Sequence, residues 1–224
     1  MRVPRMKKQL LPALLAIAGV TTSQAQGVVT FNNPWINNGL GSLGYSDGFA
    51  FRVVPPTPPP TQIDPVWHVG AIGPAGYPHN GTPYIAFINT LGTPQYVMFI
   101  RTNLTVGQPV PPSFTAGDPF GLISVDLADP VAPSLAPIDI TFNGFRADGS
   151  MVSQTFTVGG GGSSSFQRVY FGPAFAHGLV RVEIPSPAWA MDNLVWIPEP
   201  GGAALLSLGL LAWAARRFPR RRRL

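Results

Sequence analysis

The chain has 224 residues, of which 45% are hydrophobic and only 11% are charged, and it contains 25 glycines and 26 prolines. This length favours one domain with a sizeable core, and so many glycines and prolines exclude helical bundles and coiled coils. The formal charge of +5 does not indicate a nucleic-acid partner, because ten of the 15 basic residues lie in the first eight or last nine positions, whereas residues 26–197 carry five basic and nine acidic side chains.

The N-terminus has the three-part order of a secretory signal peptide. Residues 1–8 are positively charged, residues 10–20 are apolar, and small residues precede Gln26. An apolar stretch of about 11 residues is well below the roughly 20 that a permanent membrane helix needs. We therefore expect signal peptidase to cleave between Ala25 and Gln26, with retention of the segment as an anchor as the alternative.

The first half of the body contains short apolar segments of the length of β-strands. The candidate strands are residues 28–31, 49–54, 83–88, 96–100 and 120–127. A proline-rich stretch at residues 54–60 is interpreted as an exposed polyproline II loop, because the chain before it is too short for an independent core.

A β-hairpin is the clearest element of the second half. Residues 138–142 and 152–158 alternate on either side of the turn residues 147–150. The Gly- and Ser-rich residues 159–165 that follow are interpreted as a flexible loop, since no phosphate-binding Lys-Ser/Thr comes after them. The remaining candidate strands are residues 166–171, 180–184 and 191–196.

About ten short strands and the absence of a helical period in the body predict an all-β fold. An antiparallel β-sandwich of jelly-roll form is the architecture that fits one domain of this length. We expect this domain to span residues 26–197. In the precursor, we expect an N-terminal signal helix before it and a C-terminal transmembrane helix after it.

The body lacks the residue patterns of common catalytic sites. There is no cysteine, no Gly-x-Ser-x-Gly motif, and each of the three histidines, His68, His79 and His177, is isolated in sequence. Glu183 is the only glutamate of residues 26–197, and its alternating strand predicts that it faces water beside Arg181. We therefore expect no catalytic residue and no enzyme, with a secreted glycan- or ester-hydrolysing enzyme as the alternative.

Two other sets of residues are candidates for binding. Asp192 and Asn193, with Asn32 and Asn33, carry the oxygen ligands that Ca²⁺ prefers, but no dense Asp-x-Asp-x-Asp loop occurs. We therefore expect no cofactor and no metal site, with Ca²⁺ as the alternative. Tryptophan rings either stack on sugars or fill the core. The tryptophans concerned are Trp35, Trp67, Trp189 and Trp196.

The C-terminal segment has three parts in fixed order. Pro198, Glu199 and Pro200 precede an uncharged stretch, residues 201–215, and an arginine-rich tail. At about 1.5 Å per residue, the stretch covers roughly 22 Å of a hydrocarbon core near 30 Å, which favours temporary over permanent insertion. The arginines that would stay in the cytoplasm and stop transfer are Arg216, Arg217, Arg220, Arg221, Arg222 and Arg223.

This three-part order resembles the PEP-CTERM protein-sorting domain of Gram-negative bacteria, and residues 198–224 carry the resemblance. The resemblance implies export, transient anchoring in the inner membrane, and recognition by an exosortase, a membrane peptidase that removes the tail. The mature protein would then reach the cell surface or the extracellular matrix. An ordinary single-span tail anchor is the alternative.

Segments of the body are also similar to sandwich domains of such tagged proteins. They are residues 44–49, 145–150 and 191–194. These domains resemble galactose-binding or carbohydrate-binding jelly rolls. We therefore expect an exported, non-catalytic cell-surface or matrix protein whose body contacts polysaccharide or other envelope components.

Overall fold

A computed structural model of the chain provides the fold. The structure describes residues 26–32, 35–37, 43–54, 66–69, 77–78, 80–90, 92, 95–102, 117–130, 136–160 and 165–199. Only the backbone is described for residues 35–37, 43–45 and 66–68. The predicted signal helix and transmembrane helix lie outside these ranges, and within them no helix is long and apolar enough to cross a membrane.

The described part of the chain is almost entirely β-structure, with one 3-10 turn at Pro173–Phe175. Its strands are β1 (Gly27–Val29), β2 (Trp35–Asn37), β3 (Leu43–Ser46), β4 (Phe49–Val54), β5 (Val66–Val69), β6 (Tyr84–Ile88), β7 (Tyr96–Arg101), β8 (Phe120–Ala128), β9 (Pro137–Arg146), β10 (Met151–Gly159), β11 (Gln167–Tyr170), β12 (Leu179–Ile184) and β13 (Ala188–Pro198). Three of them, β2, β3 and β5, were not predicted from the sequence.

The strands pair antiparallel in one curled sheet with two layers. Layer A has the strand order β10-β9-β12-β7-β4-β3-β2, and layer B has the order β11-β8-β13-β6-β5, with β1 beside the second half of β13. Among the described residues, β12 meets β8 at one residue pair, Leu179 with Phe120. The prediction of an all-β antiparallel sandwich is therefore confirmed.

The core lies between the two layers and is rich in phenylalanine. Phe49 of layer A has its ring centroid 5.1 Å from that of Phe120 and 5.3 Å from that of Trp196, both of layer B. The ring of Phe99, on the neighbouring strand β7, lies 6.0 Å away. Period-two alternation turns these side chains inward, so their burial holds the layers together.

The predicted hairpin is formed by β9 and β10. Its turn has Gly149 at φ +83°, a left-handed conformation that suits glycine, and Asp148 Oδ1 accepts a hydrogen bond from Ser150 N–H at 2.8 Å. The pairing continues from Met151 opposite Phe145 to the far end of both strands. Alternation along this ladder turns the even-numbered residues towards the core and the odd-numbered residues to the outer face of layer A.

Candidate functional site

The outer face of layer A carries a row of polar side chains. Three side-chain hydrogen bonds cross from β9 to β10: Asn143 with Ser153 at 2.8 Å, Thr141 with Thr155 at 2.8 Å, and Asp139 with Thr157 at 2.6 Å. We call these six residues the hydroxyl row. Because the bonds fix neighbouring rotamers, the row presents an ordered set of donors and acceptors.

A charged pair lies beside the hydroxyl row, on β12. Arg181 Nε is 3.1 Å from Glu183 Oε1, and the two side chains are only 28% and 17% exposed. The guanidinium carbon of Arg181 lies 4.1 Å from the ring centroid of Phe145, which is a cation–π contact. Glu183 thus lies beside Arg181 as expected, but its side chain is partly buried rather than free in water.

The charged pair is surrounded by residues of other strands. Burial raises the pKa of Glu183, and the nearby charge of Arg181 opposes that rise. Burial also raises the pKa of Tyr96, with a further contribution from Glu183, while Arg181 and Arg52 act in the opposite direction. Tyr96 comes near Glu183 because β7 pairs with β12, so the order of the strands in the sheet contributes to the burial of Glu183.

We call the hydroxyl row, together with Tyr96, Phe145, Arg181 and Glu183, the Arg181 face. It combines hydroxyl, amide, carboxylate and guanidinium groups with two aromatic rings. Sequence reasoning singled out only the pair on β12. Alternation alone marks the outward residues of each strand, but it does not reveal that β12 lies between β9 and β7.

A second polar group, the Asp192 cluster, lies on layer B. Asp192 is 0% exposed. Its Oδ2 accepts hydrogen bonds from Asn80 Nδ2 at 2.9 Å and Thr82 Oγ1 at 2.6 Å, and its Oδ1 accepts one from Asn193 N–H at 2.7 Å. One buried carboxylate therefore fastens a loop about 110 residues away in sequence to β13.

Asp126 completes the Asp192 cluster. The guanidinium of Arg168 forms a bidentate pair with the carboxylate of Asp126: Nε donates to Oδ1 at 2.7 Å and Nη2 donates to Oδ2 at 2.8 Å. Asn193 Nδ2 donates to Asp126 Oδ2 at 2.9 Å. The backbone of Asn193 has a left-handed φ of +47°, at a point where the register between β13 and β8 shifts. The cluster thus joins β8, β11 and β13 through paired, hydrogen-bonded charges.

The candidate calcium ligands that the structure describes form hydrogen bonds with other groups of the chain. The oxygens of Asp192 are occupied by donors of the chain, and Asn32 donates to Thr30 Oγ1 at 3.1 Å, beside Asp47, which accepts from the Thr30 amide. Asn33 lies outside the described residues. Within the described ranges, no group of three or more His, Asp or Glu side chains could hold a metal ion.

The candidate sugar-stacking tryptophans divide into two groups. Trp189 is 0% exposed in the core, and Trp196 packs on Phe49 and under the guanidinium of Arg101, 4.7 Å from its ring centroid. The side chains of Trp35 and Trp67 lie outside the described residues. Of the histidines, His177 is exposed, whereas the side chains of His68 and His79 lie outside the description.

The first two residues of the predicted sorting motif contact the sandwich. Pro198 is the last residue of β13 and lies opposite Phe120, and the carboxylate of Glu199 accepts a hydrogen bond from Gly178 N–H. Gln26, at the predicted signal cleavage site, is exposed. Pro200, Ala25 and the six tail arginines lie outside the described residues.

No family profile and no curated protein matches the chain. Among solved structures, it is similar to the CBM22-1-GH10 modules of Clostridium thermocellum endo-1,4-beta-D-xylanase 10B, complexed with xylohexaose. The two share 12% sequence identity with a TM-score of 0.39, and the match covers 78% of this chain and 28% of that one. An exo-beta-agarase matches at 10% identity and a TM-score of 0.38, over 79% and 26%. A CBM4 structure matches at 11% identity and a TM-score of 0.25, over 80% and 90%. The chain thus spans about a quarter of the length of the first two proteins.

Proposed function

We propose that this chain is an exported, non-catalytic cell-surface or extracellular-matrix protein whose sandwich, of jelly-roll form, binds polysaccharide through the Arg181 face. The half-buried Arg181–Glu183 pair beside two aromatic rings is the observation that carries the proposal. Sugars offer adjacent hydroxyls and apolar ring faces. A guanidinium and a carboxylate supply paired donors and acceptors for the hydroxyls, and aromatic rings supply apolar contact.

The spacing of carboxylates on this face supports binding rather than glycoside hydrolysis. Glu183 lies opposite Asn143, four residues from Asp139 along β9. At about 3.4 Å per residue, that separation is roughly 13 Å along the strand. Retaining and inverting glycosidases place their two carboxyl groups about 5–5.5 Å and 6.5–9.5 Å apart, so this pair does not suit either mechanism.

Replacing Arg181 by glutamine is expected to weaken polysaccharide binding about tenfold to a hundredfold, because a charge-assisted donor is lost beside a carboxylate that stays. A glycan array identifies the ligand, and titration calorimetry then measures its affinity. Arg146→Gln is the matched control, since Arg146 donates to Ala174 O, away from this face. Equal affinity of the two variants would contradict the site. Hydrolysis of any bound glycan that Glu183→Gln abolishes would contradict the non-catalytic proposal.

We further propose that residues 198–224 act as a sorting signal that an exosortase removes. The motif begins within β13, at Pro198, and Glu199 bonds to Gly178, so a cut after the motif would leave the whole sandwich on the mature chain. Arginines after the apolar stretch resist passage through hydrocarbon, which halts the chain while it is cut. The alternative is a retained tail anchor.

Mass spectrometry of the C-terminus tests the sorting signal in cells with an active exosortase. Surface-localised protein is expected to end near Pro200 and to lack Arg216 to Arg223. Glu199→Ala is expected to keep the whole tail, while the body still folds because only one hydrogen bond to Gly178 is lost. Intact Leu224 on the surface protein would leave the tail anchor as the explanation.

A further inference from the structure

β10 is an exposed edge of layer A that differs from the other described edges. The strands at the other ends and edges of the layers, β1, β2, β5 and β11, have three or four residues. β10 has nine residues, Met151–Gly159, with no charge and no proline. Native sheets keep edge strands short, charged or interrupted to prevent pairing with another chain. The edge of β10 has none of these protections.

The backbone groups that face outward from this edge can be identified from the hairpin. Arg146 N–H donates to Ser150 O at 2.9 Å, so residues 146 and 150 form a hydrogen-bonded pair. Such pairs alternate along an antiparallel ladder, so the even-numbered residues of β10 bond to β9. The N–H and C=O groups of Met151, Ser153, Thr155 and Thr157 therefore point away from β9, and no described strand pairs with them.

We propose that this edge binds the same edge of a second copy of the chain, with Thr155 at the two-fold axis. In that antiparallel register Thr155 lies opposite the partner's Thr155, Ser153 lies opposite the partner's Thr157, and Met151 lies opposite the partner's Gly159. Ser153, Thr155 and Thr157 are all odd-numbered, so their outward-pointing backbone groups meet one another across the axis. The two copies then share one continuous sheet with an isologous interface.

The side chains of β10 favour its own copy over a different partner. The outward residues Ser153, Thr155 and Thr157 extend the hydroxyl row across the axis, and no charge opposes a like charge. Met151 is 55% exposed and Tyr170 is 67% exposed, the two most exposed large hydrophobic side chains among the described residues. Met151 begins β10, and Tyr170 lies on the neighbouring edge strand β11 of layer B, where its C=O accepts a hydrogen bond from Gln154 Nε2 at 3.2 Å. This inference does not depend on polysaccharide binding.

Single-cysteine variants of the full chain test the register, since the protein has no cysteine of its own. Cα atoms of a hydrogen-bonded antiparallel pair are about 5.5 Å apart, within the range of a disulfide. Thr155→Cys is expected to give a covalent dimer on mild oxidation in non-ionic detergent. Ser153→Cys is the matched control on the same edge. Its Cα lies about 13 Å along the strand from its own copy, so it is expected to stay monomeric.

A mixture of Ser153→Cys and Thr157→Cys is expected to cross-link, although neither variant does so alone.

Thr155→Lys is expected to raise the dimer dissociation constant about tenfold or more in sedimentation experiments, because two ammonium groups meet at the axis. Thr141→Lys removes the same Thr141–Thr155 hydrogen bond from the interior strand and is expected to leave association unchanged. A chain that stays monomeric at all concentrations, equal cross-linking of Ser153→Cys, or cross-linking of Thr155→Cys only to a different protein would overturn the proposal.

Discussion

Replacing Asp192 by alanine is expected to lower the free energy of unfolding by about 2–4 kcal/mol. The carboxylate is fully buried and satisfies Asn80, Thr82 and the Asn193 amide together. Alanine would remove the acceptor of Asn80 Nδ2 and of the Asn193 amide, while Thr82 Oγ1 would keep Asn80 Oδ1 as an acceptor at 2.6 Å. It would also release the loop at residues 80–82 from β13, because the Asp192 side chain is what holds this loop in place. The lost free energy therefore includes the contacts that depend on the ordered loop.

Urea denaturation followed by tryptophan fluorescence measures this loss. Asp148→Ala is the control, because Asp148 is exposed and its carboxylate accepts a hydrogen bond from the Ser150 amide within the same turn. Removing this carboxylate is expected to lower the free energy of unfolding by about 1 kcal/mol or less. Thr82→Val tests one donor alone and is expected to cost about 1–2 kcal/mol. A loss below about 1 kcal/mol for Asp192→Ala would indicate that water replaces the carboxylate.

The second large effect is expected for Phe49→Ala, which should cost about 3–5 kcal/mol. Phe49 contacts Phe99 in its own layer and Phe120 and Trp196 in the other, so its ring fills the space between the layers. Alanine would leave a cavity bounded by both sheets, and antiparallel pairing limits how far either sheet can move to fill it. Phe49→Leu keeps most of the volume and is expected to cost about half as much.

The same denaturation experiment separates the two substitutions at Phe49. Equal losses for Phe49→Ala and Phe49→Leu would contradict the cavity argument, because they would show that the site collapses around the smaller side chain. A change of m-value would instead indicate that the native state has become less compact.

Much of the fold follows from local chemistry that the sequence shows. Strict alternation and the Asp148-Gly149 turn predict the β9–β10 hairpin, and both are observed. The strands β2, β3 and β5 were missed because they have only three or four residues and no long alternation. Their structure comes from pairing with longer neighbours, which a local pattern does not record. β13 begins at Ala188 rather than Met191 for the same reason, since β6 pairs with its first residues.

The sites are less predictable because they join distant strands. Asp192 and Asn193 were noted as oxygen ligands, but Asn80 and Thr82, which occupy Asp192, are separated from it by more than 100 residues. Similarly, Tyr96 reaches Glu183 only because β7 pairs with β12. Residue type predicts which chemistry a side chain can perform, whereas the order of strands in the sheet decides which partner it meets.

The position of β13 determines how the body resists a pulling force. β13 is an interior strand, flanked by β8 on one side and by β6 and then β1 on the other. A force applied at Glu199 acts along the axis of this strand, so the backbone hydrogen bonds of both flanks carry the load together in shear. An edge strand would instead peel away one bond at a time. The sandwich is therefore expected to resist a pull on β13 better than a pull on an edge strand such as β10.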